Sequence, residues 1–361
     1  MRGIAILLVL FRHANLFSIT TRIGWIGVDL FFVLSGFLVS GLLFKEYMKY
    51  GSVQPIRFLI RRGFKIYPIY FLFYPLYLLP ILRAHNLQLV PMLSDLFFVQ
   101  NYVNGWGYAY GPSWSLAVEE HFYFCIAIIF WWALPKQEIS SNVGEPSQKI
   151  KGFIGIVSTV LIIVLFLRVL SQWLFPAMQV KNFTMTHLRI DSLLAGVLVA
   201  YLYYFKSLEF KTAFKKVRSY AWLLALVLIV GTVSLGDTDS PLVTTVGFTC
   251  LYIGFSIFLT YTLLSDDINQ KLNAIFSRRL VDVVSKIGLY SYSIYVIHTA
   301  VNSFMNTNKI KNLISFVPFQ QQYVIALLSI VASIIAGMLM TNYIENWFLR
   351  LRNRYYPACI N

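Results

Sequence analysis

Residues 153–167, FIGIVSTVLIIVLFL, run for fifteen positions without a charge, and apolar stretches of this kind recur along the whole chain. A helix crosses the hydrocarbon core of a bilayer with ~20 mostly apolar residues. In lipid, only helices and closed barrels satisfy their own backbone hydrogen bonds. Ten helical runs are read, at about 4–19, 24–44, 64–82, 114–134, 153–175, 188–205, 220–235, 242–264, 287–305 and 321–344. The stretch 83–113 adds a partly buried or re-entrant piece. Composition points the same way. Of 361 residues, 58% are hydrophobic and 12% charged, against roughly 45–50% and 25% in a soluble domain. The fold class expected is all-α, a polytopic transmembrane helix bundle of about ten spans.

Charge then sets the expected orientation. A net charge of +15 on a soluble chain would suggest nucleic acid as a partner, but in a membrane protein Lys and Arg in loops set topology. With the N-terminus placed inside, twenty-two of the thirty Lys and Arg residues fall in inner segments, five in outer loops and three within spans. Both termini are therefore expected in the cytoplasm, with the lipid bilayer as partner and no nucleic acid. The inner segments include the basic stretches 45–65, 135–151, 206–219 and 265–286. No cleavable signal peptide, repeat or fused soluble domain is read, so the organisation expected is one membrane domain, 1–352, and a short tail, 353–361. Cys125, Cys250 and Cys359 form no metal-ligand or redox spacing, and no metal is expected. Oligomeric state is not encoded.

The chemistry is expected inside the bundle, where ionisable groups are costly and usually functional. Arg2 and His13 lie eleven residues apart, which at 100° per residue is three turns plus about 20°. They share one helix face, roughly 16 Å apart along the axis. Arg2 is then a topology cation and His13 a packing residue, or the two form one functional face. In SWSLAVEEHFYF, 113–124, Ser115, Glu119 and Tyr123 recur at i, i+4, i+8 and form a stripe, while Glu120 and His121 point elsewhere, nearer the membrane boundary. A buried carboxylate such as Glu119 requires a proton or a partner. Arg61, Arg62 and Lys65 in IRRGFKIYP, 60–68, suit phosphate or anionic lipid. The two-residue spacing of Arg189 and Asp191 sends their side chains to different faces, so each requires a partner on another helix. His298 reads as a packing histidine, though Tyr290, Ser291, Tyr295 and His298 form a stripe able to line a cavity.

Taken together these motifs resemble the membrane-bound acyltransferase family 3. Its opening RGIA helix with a basic residue, ten intervening residues and a histidine is matched by Arg2 through His13. GVDLFFVLSGFL follows at 27–38, RGFKIYP at 62–68, WSLAVEEHFY at 114–123, RID at 189–191, SYSIYVIH at 291–298 and YIENWFLRLR at 343–352. The order is the family's and the motifs cover residues 2 to about 352. Lys65 stands where the family's basic element has a second arginine, which keeps the charge and loses the bidentate fork. The chain opens directly on the RG element, so a start upstream is expected.

The resemblance implies transfer of an acyl group, commonly acetyl, from cytoplasmic acyl-CoA to a hydroxyl of a cell-envelope glycan or lipid-linked glycan, in a bacterial inner membrane. His13 is the expected general base or acyl carrier. Glu119 is a second candidate catalytic residue, orienting His13 or binding acceptor hydroxyls. Arg2, Arg62 and Lys65 are the candidate ligands of the acyl-CoA phosphates, acetyl-CoA being the donor expected. Ser115, Arg189 and Asp191 are the candidate substrate-binding residues. The alternative class is a proton-coupled secondary transporter, for which buried Arg, Asp, Glu and His are suited but internal repeats are not seen.

Overall fold

The computed structural model describes residues 1–133, 148–265, 267–314 and 320–357. No strand occurs among the described residues. The principal helices are α1 (Arg2–Ala14), α2 (Ile26–Tyr50), α3 (Pro55–Arg83), α4 (Trp114–Ala133), α5 (Gln148–Leu174) and α6 (Ile190–Phe205). They continue with α7 (Ser207–Ser234), α8 (Phe248–Leu264), α9 (Arg278–Leu289), α10 (Ser291–Met305), α11 (Gln321–Leu339) and α12 (Asn346–Tyr355).

Seven helical segments among the described residues are long and apolar enough to cross a membrane, fewer than the ten expected. They are α2, α3, α4, α5, α7, α8 and the continuous stretch Gln321–Tyr355. The difference lies in three short helices. α1 has 13 residues, α6 has 16 and α10 has 15, so each is about 20–24 Å long at ~1.5 Å per residue, against a core of about 30 Å. α9 and α10 pass the apolar test only together, and they are bent by 83° at Tyr290.

Two inner segments read as basic loops are helical. α7 begins at Ser207 and carries Lys211, Lys215, Lys216 and Arg218 on its first turns. Lys and Arg are good helix formers, so a helix that emerges from an apolar environment continues through them. The stretch 265–286 likewise holds a helix at Ile268–Phe276 and most of α9. The basic stretch 135–151 lies largely outside the described residues, as does Cys359. The stretch 83–113 folds as short helices, Leu89–Leu96 and Gln100–Val103, with Asp95, Gln100 and Asn101 wholly buried. Asp95 accepts hydrogen bonds from the amides of Tyr108 and Ala109, both at 2.9 Å, so the buried carboxylate closes its own loop.

The chain divides into two compact units. The first comprises Met1–Leu30, Arg62–Leu87 and Asp267–Tyr355. In it α1 packs on α9 and α10, and α10 packs on α11. Helices in lipid associate by close packing, and small residues let backbones approach. A Cβ on Gly3 would lie 2.0 Å from the carbonyl oxygen of Val284, and one on Gly288 would lie 2.8 Å from the Gly3 nitrogen. The glycine beside Arg2 is thus where α1 and α9 cross. α3 keeps its helix through Pro68, Pro75 and Pro80, each of which removes a backbone donor. It is tied to α10 in both directions: Tyr292 donates to the Ile66 carbonyl at 2.6 Å, and Tyr77 donates to the Val296 carbonyl.

The second unit comprises Phe31–Arg61, Gln88–Asp266 and Tyr356–Asn361. Here α7 packs on α8, and α6 packs on α5 and α8. α2 meets α6 at a second glycine crossing. A Cβ on Gly36 would lie 1.9 Å from the Leu193 carbonyl oxygen, and one on Gly196 2.2 Å from that of Val33.

Candidate active site

His13 sits in the last turn of α1, where Asn15 ends the helix in the left-handed conformation. The last carbonyls of a helix have no partner within it. That of His13 accepts a hydrogen bond from the Asn302 side-chain amide at 2.7 Å. His298 lies four residues before Asn302 on α10, one turn away on the same face, and its ring meets the ring of His13. Their centroids are 4.9 Å apart with planes at 65°. Arg12 turns aside and donates to the Thr21 carbonyl at 3.1 Å, holding the chain that follows α1. The backbone and the ring of His13 are therefore both fixed by α10.

His298 was the histidine that the sequence assigned to packing. It is 1% exposed. Its Nδ1 lies 2.6 Å from the carbonyl oxygen of Tyr295, which can only accept, so Nδ1 carries the proton and Nε2 the lone pair.

At the other end of α1, Arg2 and Arg62 lie near enough to Lys65 to act on its ammonium as like charges. Lys65 pairs with Glu345, a residue that the sequence reading left without a role. Glu345 is 2% exposed. Its other oxygen accepts from Ser293 at 2.8 Å, and Ser293 in turn accepts from Thr341 at 2.9 Å, whose hydroxyl oxygen lies 3.3 Å from the carboxylate. Glu345 closes a π-helical turn, Met340–Glu345, between α11 and α12. Such turns insert one residue into a helix and often mark functional positions. Along α1 the rise per residue separates this cluster from His13 by roughly 16 Å. All of these residues belong to the first unit.

The other expected residues belong to the second unit. Glu119 accepts from Ser35 at 2.7 Å and from Tyr123 at 2.9 Å, so both carboxylate oxygens meet hydroxyl donors. The Glu119–Tyr123 half of the expected stripe is joined, while Ser115 donates to the Pro112 carbonyl at 3.1 Å. Glu120, expected nearer the membrane boundary, is 4% exposed, and His121 bonds the Thr186 hydroxyl at 2.6 Å.

Arg189 and Asp191 do find partners on other helices. Asp191 pairs with Arg168 of α5 at 2.8 Å, both wholly buried. Arg189 stands 3.5 Å from the ring centroid of Phe248 and 5.1 Å from that of Phe183, with Phe32 and Trp114 each at 5.7 Å. Its guanidinium thus fills an aromatic cage, a geometry that favours cations. Neither Arg189 nor Asp191 is exposed.

Helices long and apolar enough to cross a membrane, with ionisable side chains buried among them, define a multi-pass membrane protein. Residues 1–342 match the acyltransferase domain of acyltransferase family 3, and the chain belongs to that family. Among its relatives is the peptidoglycan O-acetyltransferase OatA of Listeria monocytogenes. It is 32% identical over 164 residues, 40% of this chain and 26% of that protein. The O-acetyltransferase OatA of Staphylococcus aureus is 25% identical over 336 residues, 85% of this chain and 50% of its own. A further Staphylococcus aureus protein, SAR0937, is 26% identical over 387 residues, covering all of this chain and 59% of its own length. The chain spans between a quarter and three fifths of these relatives' lengths. No solved structure matches it.

Proposed function

We propose that the protein is an integral membrane O-acetyltransferase that uses acyl-CoA, most simply acetyl-CoA, to acylate a hydroxyl of a cell-envelope glycan. The observation that carries this reading is the arrangement along α1. His13 is fixed at one end, and Arg2 stands with Arg62 and Lys65 at the other. A cationic cluster suits the nucleotide phosphates, and the length of α1 between the two sites suits the pantetheine arm. The donor supplies an activated thioester. His13 takes the proton of the acceptor hydroxyl as its oxygen attacks the thioester carbonyl, and returns that proton to the departing sulfur. A positioned base of this kind contributes roughly 10²–10⁴-fold.

Glu345 neutralises and orients Lys65, leaving phosphate contact chiefly to Arg2 and Arg62. Enclosure of Arg189 and Asp191 supports a scaffolding part for both, and the pairing of Asp191 with Arg168 supports it further. The location is a bacterial plasma membrane with the donor site toward the cytoplasm, the side that the Lys and Arg bias of the loops gives to the Arg2 end of α1.

The test is transfer by the purified full chain in lipid nanodiscs, given radiolabelled acetyl-CoA and bacterial envelope extract. The expected result is label in the glycan fraction that mild alkali releases, as an O-ester requires. Label that remains on the donor throughout, with the protein folded, would refute the activity.

A further inference from the structure

The mechanism above leaves one buried group without a task. The Nε2 atom of His298 is inaccessible to solvent and has no hydrogen-bond partner among the described residues. Burying a polar atom in this state costs about 1–3 kcal/mol, so a histidine kept only for packing would be an expensive choice over leucine. Two hydroxyls of α3 and α10 are committed elsewhere. Tyr77 donates to the Val296 carbonyl, and Thr299 donates to Tyr77 at 3.2 Å. With Nδ1 committed to the Tyr295 carbonyl, Nε2 is an acceptor of fixed orientation.

The group beside it is the His13 ring, 4.9 Å away between centroids. An imidazole nitrogen lies about 1.1 Å from its ring centre, so an N–H···N bond of about 2.9 Å sets two centroids roughly 5 Å apart. The observed separation fits that bond. The pairing calls for the His13 ring to turn about its Cβ–Cγ bond while Asn302 holds the backbone of His13.

We propose that His298 is the positioning residue of the transfer step, its Nε2 accepting a hydrogen bond from the imidazole of His13. The inference rests on the acyl-transfer reading of His13. The bond selects the His13 tautomer whose free lone pair faces the acceptor hydroxyl. When His13 takes the hydroxyl proton it becomes an imidazolium with two N–H groups. One returns its proton to the departing sulfur, and the other donates to His298 Nε2 throughout. No net charge or proton is left on the pair. The role is that of the carboxylate in a hydrolytic triad, filled by a neutral imidazole, which avoids burying an anion among apolar helices.

Two measurements test it. The first needs no donor. In the full chain in lipid bilayers, labelled at the nitrogens of its five histidines, solid-state NMR should show a through-hydrogen-bond correlation between a His13 nitrogen and His298 Nε2. It should vanish in His298→Gln. Absence of the correlation in the wild type, or a protonated His298 Nε2, would overturn the pairing.

The second uses radiolabelled acetyl-CoA with envelope extract. His298→Ala should lower kcat by about 10–100-fold, as for other groups that orient a histidine, with KM for acetyl-CoA within about twofold. His298→Gln sets an amide oxygen near the Nε2 position and should recover several-fold over alanine, whereas His298→Asn should not. In a His13→Ala background, His298→Ala should cost nothing more. A loss that persists in that background, or one equal in Gln and Ala, would make His298 structural. A wild type inert toward acetyl-CoA would sink the acyl-transfer reading instead, and the NMR correlation would still decide the pairing.

Discussion

Replacing Gly3 by alanine probes the helix crossing that sets where Arg2 stands. The added Cβ would lie 2.0 Å from the Val284 carbonyl oxygen and 2.9 Å from its Cγ1. The side-chain atom can rotate away, but the carbonyl belongs to the backbone of α9 and cannot. Relief to an ordinary contact of about 3.4 Å requires α1 and α9 to part by roughly 1.4 Å, and overpacking of this kind costs about 1–3 kcal/mol. Alanine returns at most ~1 kcal/mol of helix propensity. The net expectation is a loss of about 1–2 kcal/mol, read as a fall of several degrees in thermal unfolding of the detergent-solubilised protein. Gly155 on α5 and Gly231 on α7 have nothing within 4 Å of their added Cβ atoms, so alanine at either should leave the midpoint unchanged or raise it. Because the separation displaces Arg2, Gly3→Ala should also raise KM for acetyl-CoA, while the two controls do not. Equal midpoints for Gly3→Ala and Gly155→Ala would refute the backbone-contact argument.

Three further expectations follow from the same packing. The Lys65–Glu345 pair should behave as a unit: Glu345→Leu or Lys65→Met alone strands a charge and lowers the unfolding midpoint, while the double variant lies closer to the wild type than either. Non-interacting single effects would instead sum. Arg189→Lys should destabilise despite keeping the charge, since only the planar guanidinium fills the cage of Phe248 and Phe183, and KM for acetyl-CoA should not move. Asn302→Ala removes the bond to the His13 carbonyl, worth about 1 kcal/mol, and should lower kcat with little change in donor binding. A change confined to KM would contradict the placement of Asn302 behind the base.

The sequence carried the helical class and the shared helix of Arg2 and His13, because hydropathy and an eleven-residue spacing are local signals. It misjudged extents where charge was taken to mean loop. Lys211 and Lys215 ride on α7 because a helix needs no apolar residues once it is formed. It also overestimated α1, whose apolar run continues past the left-handed Asn15 that ends the helix. Asp191 was legible as needing a distant partner, and Arg168 is that partner. His298 and Glu345 were quoted within motifs yet left without tasks, for one physical reason. Their partners, His13 and Lys65, are 285 and 280 residues away, and no spacing rule reaches across that distance. Glu345 also depends on a π-turn, which shifts its face by one residue and defeats a 3.6-residue reading.

The central claim, that the histidine at the end of α1 performs the proton transfer, is tested most directly by separating donor binding from chemistry in His13→Ala. Equilibrium binding of radiolabelled acetyl-CoA and transfer of its label to envelope glycan would be measured side by side on the purified variant and the wild type. The account predicts donor affinity within about twofold and transfer reduced by at least ~10²-fold. Transfer at the wild-type rate would contradict it, because the imidazole would then be part of the packing and the base would lie elsewhere.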